Sequence, residues 1–157
     1  MSQSTAQVEA YLHAYDEIEQ EIAELSEEQL KWKGSSQSWS VTEVLSHLVD
    51  HSIVVSFRIR DILAGSEVRL PAFNQDAWVS GQKANEGHAK DILNAARALV
   101  QYNGLLFNRL TDEEWNKAGI NAKGDPVAIA AIVPAFVAHV TNHLAQIRRI
   151  KQAQSGA

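Results

Sequence analysis

"SVTEVLSHLVDHSIVVSFRIRDILAG", residues 40 to 65, decides the fold. Ser40 and Glu43 have the spacing of a capping box, in which each side chain satisfies the other residue's backbone N–H. That sets a helix start at Val41. Gly65 is a natural residue to follow the last turn, because it takes the left-handed conformation freely. The stretch therefore predicts one long helix, the second of four. Upstream, Val8, Tyr11, Leu12, Tyr15, Ile18, Ile22 and Leu25 alternate spacings of three and four, which predicts a first helix over 5–25 with one buried stripe. Ser26 before "EEQ" starts a short turn that ends near Gly34.

Downstream, residues 66–87 form a long connection with Pro71 and two glycines, and one short helix is expected at 74–82. Connections of this length often carry function or cross over a bundle. A third helix is expected over about 88–110, with Ile92, Leu93, Ala96, Leu99, Leu106 and Leu110 inward. Thr111 and Glu114 cap a further turn that carries Trp115. "GINAKGD" reads as a loop, and Pro126 suits the first position of a fourth helix running to about Gln152. Pro134 should kink that helix about one turn before His139. No run has strand period. The expectation is an all-α four-helix bundle with a long connection between helices 2 and 3, forming a single domain over 1–157.

Composition narrows the function. The net charge is -5, with 14 Lys and Arg against 19 Asp and Glu, which argues against a nucleic-acid-binding surface. The basic cluster "RRIK" at 148–151 ends the last helix, where it complements the helix dipole. There is no cysteine, so disulfides, thiolate metal sites and a cysteine nucleophile are excluded. A thiol, if one is used, arrives with a small molecule. The N-terminal stretch lacks the apolar core of a signal peptide, and no apolar run is long enough to span a membrane. The expected location is the cytoplasm.

Four of the six histidines form two H-x-x-x-H pairs, His47 with His51 and His139 with His143. Residues four apart on a helix share a face. Imidazoles on facing helices can hold Zn²⁺, Ni²⁺ or a related divalent ion, and three of them leave positions open for water and substrate. The alternative is four core histidines satisfied by Asp50, Asn142 or Gln146. Spacing alone leaves both open. H-E-x-x-H is absent, and Asp50, three residues from His47, is a candidate to orient a ligand.

"WSVTEVLSHLVDH" (39–51), "LPAFNQDAW" (70–78), "LTDEEWNKAG" (110–119) and "FVAHVTNHLAQI" (136–147) occur in this order. Together they resemble the DinB-like superfamily with its YfiT-like metal-dependent hydrolases, over nearly the whole chain. The resemblance implies a bundle with a divalent metal, zinc or nickel foremost, held by His47, His139 and His143. It implies Gln146 as a residue that orients a ligand, and leaves His51 as a fourth ligand, a proton shuttle or lining, with lining favoured. It further implies a hydrolase, or an S-transferase using a low-molecular-weight thiol such as bacillithiol or mycothiol. The substrate would be a small molecule and the assembly a homodimer. The competing reading is a non-catalytic bundle that binds a metal or ligand.

Phe73 and Trp78 in the long connection are pocket-wall candidates, against a packed loop that closes the core. Trp39 reads as a hydrophobic staple before the Ser40 cap. Arg58 and Arg60 can meet an anionic substrate, although solvated ion pairs are the simpler expectation. His13 and His88 have no partner at metal spacing. Trp32 and Trp115 plug the bundle ends. No nucleophile elbow and no glycine-rich phosphate loop is present.

Overall fold

The computed structural model describes residues 3–156. The architecture is a four-helix bundle. Its elements are α1 (Gln3–Leu12), α2 (Asp16–Ile22), α3 (Glu27–Lys31), α4 (Val41–Leu63), α5 (Gln75–Gly81), a short 3-10 turn (Ala84–Glu86), α6 (Ala89–Phe107), α7 (Asp112–Trp115), strands β1 (Ala118–Ile120) and β2 (Pro126–Ala128), and α8 (Ile129–Ser155).

The capping boxes at Ser26, Ser40 and Thr111 all form. Gly65 ends α4 at φ +80°, with Ser66 N–H bonded back to the Asp61 carbonyl. Three expectations need correction. The first helix is two, because tight three-residue hydrogen bonds at Ala14 and Asp16 interrupt it around His13. Its stripe still stays inside, since Val8, Tyr11, Tyr15, Ile18 and Ile22 are all buried. Residues 118–128 are a small antiparallel hairpin, with Gly119 opposite Val127. Asn121 builds its turn by accepting from Lys123 N–H and Asp125 N–H, and Gly124 supplies φ +89°. Pro126 therefore opens a strand, and α8 begins only at Ile129. Pro134 is exposed, and α8 runs through it as one element.

Hydrogen bonds along the chain give the bundle its direction. The connection after α4 walks back along it. Arg58 donates to the Pro71 carbonyl, Gln82 donates to Asp50, and Ser40 donates to Asn85. So α6 starts beside the start of α4 and runs parallel to it, and Asn103 late in α6 donates to Ser56 late in α4. α8 runs the opposite way, with His139 beside His51 and His143 beside His47. α1 and α2 occupy the remaining corner against α6 and α8. Tyr11 packs there on Phe107 and Phe136, and Tyr15 on Phe136. The basic end of α8 is tied down, since Arg148 and Lys151 pair with Glu21 of α2. α1 comes so close to α6 that a Cβ on Gly104 would stand 2.5 Å from Leu12 Cδ2. No helix of the described residues is long and apolar enough to cross a membrane.

Candidate metal centre

His47 lies in the second turn of α4 and is 1% exposed. The antiparallel register of α8 sets it between His139 and His143. His47 Nε2 and His139 Nε2 are 3.2 Å apart, and His143 Nε2 stands at the same 3.2 Å from His139 Nε2. Among the described residues this is the group of three whose ligand atoms lie close enough for one ion, all within 4.8 Å of one another. Nitrogens bound to one tetrahedral zinc at ~2.05 Å would be about 3.3 Å apart, so the two contacts to His139 fit.

Hydrogen bonding alone does not account for the cluster. His143 Nδ1 lies 2.7 Å from Gln146 Oε1. With that oxygen as acceptor, His143 carries its proton on Nδ1 and its Nε2 is a bare lone pair. The proton for the His143–His139 contact must then come from His139 Nε2. That same single proton would have to serve the equally short contact to His47. The Nδ1 atoms of His47 and His139 are buried without a hydrogen-bond partner. A cation between the three Nε2 atoms satisfies what one shared proton cannot.

Burial keeps these rings neutral. It pushes His47 and His139 down from 6.5 to about 4, aided by neighbouring histidines, and it also lowers His143 against the raising effect of Gln146. Neutral imidazole is the ligand form, so a metal would require no net loss of protons from these rings near pH 7, only that each carry its proton on Nδ1.

The neighbours sort themselves by contact. His51 does not join the convergence of nitrogens. Its ring stacks on His139 at 3.8 Å and on Phe136 at 5.5 Å, and burial takes it down to about 3. Asp50 contacts Gln82 at 2.8 Å, in place of the imidazole it was expected to orient; desolvation raises its pKa. Gln146 does meet His143. Phe73 stacks on the His47 ring at 6.3 Å, and Trp78 packs on Phe73 at 4.8 Å. His13 and His88 lie elsewhere, beside Asp16 and Glu27.

Trp39 was read as a staple in preference to a substrate role, yet its ring lies 5.1 Å from that of His47. The signal was its position eight residues before His47, across the cap that turns the chain into α4. Arg60 sits over Tyr102 and bonds the Ser56 carbonyl, which gives it a place in the α4–α6 seam.

An antiparallel α4–α8 pair carrying three convergent imidazoles defines a bundle with a built ligand set. The chain belongs to the DinB superfamily, whose model matches residues 10–147. A protein of Oceanobacillus iheyensis named as a putative metal-dependent hydrolase is 23% identical over 154 residues, covering 96% of this chain and 85% of its own. YfiT from Bacillus subtilis, described as a probable metal-dependent hydrolase with an unusual four-helix bundle topology, superposes with a TM-score of 0.88 at 16% identity, over 99% of this chain and 90% of YfiT. A mycothiol-dependent maleylpyruvate isomerase has the same fold at a TM-score of 0.75 and 9% identity. That match covers 93% of this chain but 61% of the longer isomerase.

Proposed function

We propose that His47, His139 and His143 hold one divalent metal, zinc or nickel, and that the chain is a small-molecule enzyme of the cytoplasm, a metal-dependent hydrolase or a thiol S-transferase. The observation that carries this is the pair of 3.2 Å contacts that His139 Nε2 makes to the Nε2 atoms of His47 and His143, with one proton for both. The names of the relatives point the same way. An ion bound there would lower the pKa of a bound water or thiol and so supply a nucleophile at neutral pH.

The protein's own part is to hold and to exclude. Gln146 fixes the His143 ring. His51 lines the centre and braces His139 by stacking. Trp39, Phe73 and Trp78 wall the His47 side against water. One observation favours the transferase over the hydrolase. A metal hydrolase commonly uses a carboxylate base, and Asp50 is tied to Gln82. A thiol brings its own nucleophile, and the maleylpyruvate isomerase of the same fold is named for one.

Metal analysis of untagged protein is the test. The expected result is about one metal per chain, lost in His143→Ala while the helical signal persists. A metal-free wild type from metal-replete growth would overturn the reading. Metal uptake without turnover on hydrolysis and thiol-transfer panels would support the non-catalytic alternative.

A homodimer is part of the proposal. Ile53 and Phe57 lie one turn apart on α4, and Tyr102 and Leu105 lie on the adjoining α6, at 46%, 59%, 63% and 61% exposure. This apolar stripe is the surface a second copy would cover. Sedimentation of Phe57→Glu against wild type tests it, with a shift to monomer expected.

A further inference from the structure

A cavity lies between α4 and α8, beyond the histidines. It measures ≈ 320 Å³, at the lower end of small-molecule pockets. Val55, Leu70, Val127, Ile132 and Phe136 give it apolar walls. Ala131 and Ala135 on α8 are small and exposed, and they leave it open to solvent. The hairpin closes the far end, anchored where Leu70 N–H donates to the Ile120 carbonyl. His51 and His139 form the inner end.

Arg58 is the charged residue of this lining, and no Asp or Glu shares it. Its guanidinium is half-buried, positioned by one bond to the Pro71 carbonyl at 2.9 Å. It makes no ion pair among the described residues, and its Nε–H is buried without a partner. Burial lowers its pKa, the mark of a cation that has lost water and gained no counter-ion. A fixed, unneutralised guanidinium on an apolar wall is suited to a planar anion with an apolar body. Arg58 lies seven residues from His51 on the same helix, so the two ends of the cavity are ~10 Å apart along the axis.

We propose that this cavity binds a small carboxylate with an apolar body, and that Arg58 recognises the charge. Because the inner end is His51 and His139, such carboxylates are also the substrate class of the histidine centre. That extension, unlike the binding itself, rests on the metal reading above.

Hexanoate and hexanamide, alike in shape and different in charge, separate the terms. Each is titrated by NMR into the full chain, as purified and after metal removal by chelation. The expected result is saturable hexanoate binding in both forms, with shifts at Val127, Ala131 and Ala135, and hexanamide weaker by about tenfold or more. Arg58→Gln should bring hexanoate down to the hexanamide level, and Arg58→Lys should restore part of the difference. Ala135→Leu, at the exposed rim, should weaken both ligands and keeps the test open if Arg58→Gln does not fold. Equal binding of the two ligands would overturn the proposal. So would unchanged hexanoate binding in folded Arg58→Gln or in Ala135→Leu. Hexanoate binding that vanishes with the metal would place the carboxylate on the ion and also overturn it. Hexanoate binding in a chain that never takes up metal would keep the pocket and remove only the substrate extension.

Discussion

The two H-x-x-x-H pairs have identical spacing and different fates. On α8 both members, His139 and His143, turn Nε2 toward one point. On α4 only His47 does so, while His51 lays its ring flat on His139. The difference comes from register. α8 runs antiparallel to α4, and its offset places His47 between the two α8 rings and His51 beside the outer one. Spacing along a helix chooses a face; the partner helix chooses which residue on that face has its nitrogen in the cluster.

The largest break in this comparison should come from removing a convergent ring. Alanine at His47, His139 or His143 should weaken metal binding by more than the 10- to 100-fold typical of losing an orienting partner. His51→Phe, which keeps a flat ring, should stay within a few-fold of wild type. Competition with a chromophoric chelator measures both, and equal losses at His47 and His51 would erase the distinction.

Gln146→Ala comes next. It frees the His143 ring without removing a ligand, so about 10- to 100-fold weaker metal binding is expected in the same assay.

A third test uses pH on metal-free protein. The folded values of His47, His139 and His51 are depressed, to about 4, about 4 and about 3, from 6.5. Below pH 6.5 the unfolded chain takes up protons that the folded chain refuses, so stability must fall as pH drops from 6.5 toward 4. Urea midpoints across that range should show the decline, and His51→Phe should make it shallower. A midpoint that stays flat from pH 6.5 to 4 would contradict the burial of these rings.

The smallest effect is expected at Asp50→Asn. It keeps an acceptor for Gln82 and touches no imidazole, so metal affinity should hold within a few-fold while stability changes by less than about 1 kcal/mol.

Much of this was legible in the sequence, because the decisive signals were local. The capping boxes at Ser40 and Thr111 and the glycine after α4 act within four residues, and they set helix ends as expected. The hairpin at 118–128 was not legible. Its three-residue strands show too little alternation, and its stability comes from the Asn121 turn and the tertiary bond to Leu70. The two H-x-x-x-H pairs put four histidines forward and only the family resemblance singled out His47, His139 and His143, because the register that separates His47 from His51 is fixed by α4–α8 packing. Asp50 misled for the same reason: three residues from His47 it suggested a partner, but it meets Gln82, just after α5. Trp39 and Arg58 gained significance only from the walls they line.

The His47–His139 contact closes the chain across 92 residues. Everything from the end of the cap to the middle of α8 lies inside that loop, including the return along α4 and the hairpin. An ion held by both sides of it would cross-link α4 to α8 across that loop. At free metal 100 times Kd, such a clasp would add about 2.7 kcal/mol to stability. Metal uptake would therefore report that α4 and α8 have docked around that loop, and a chelator would loosen this pairing.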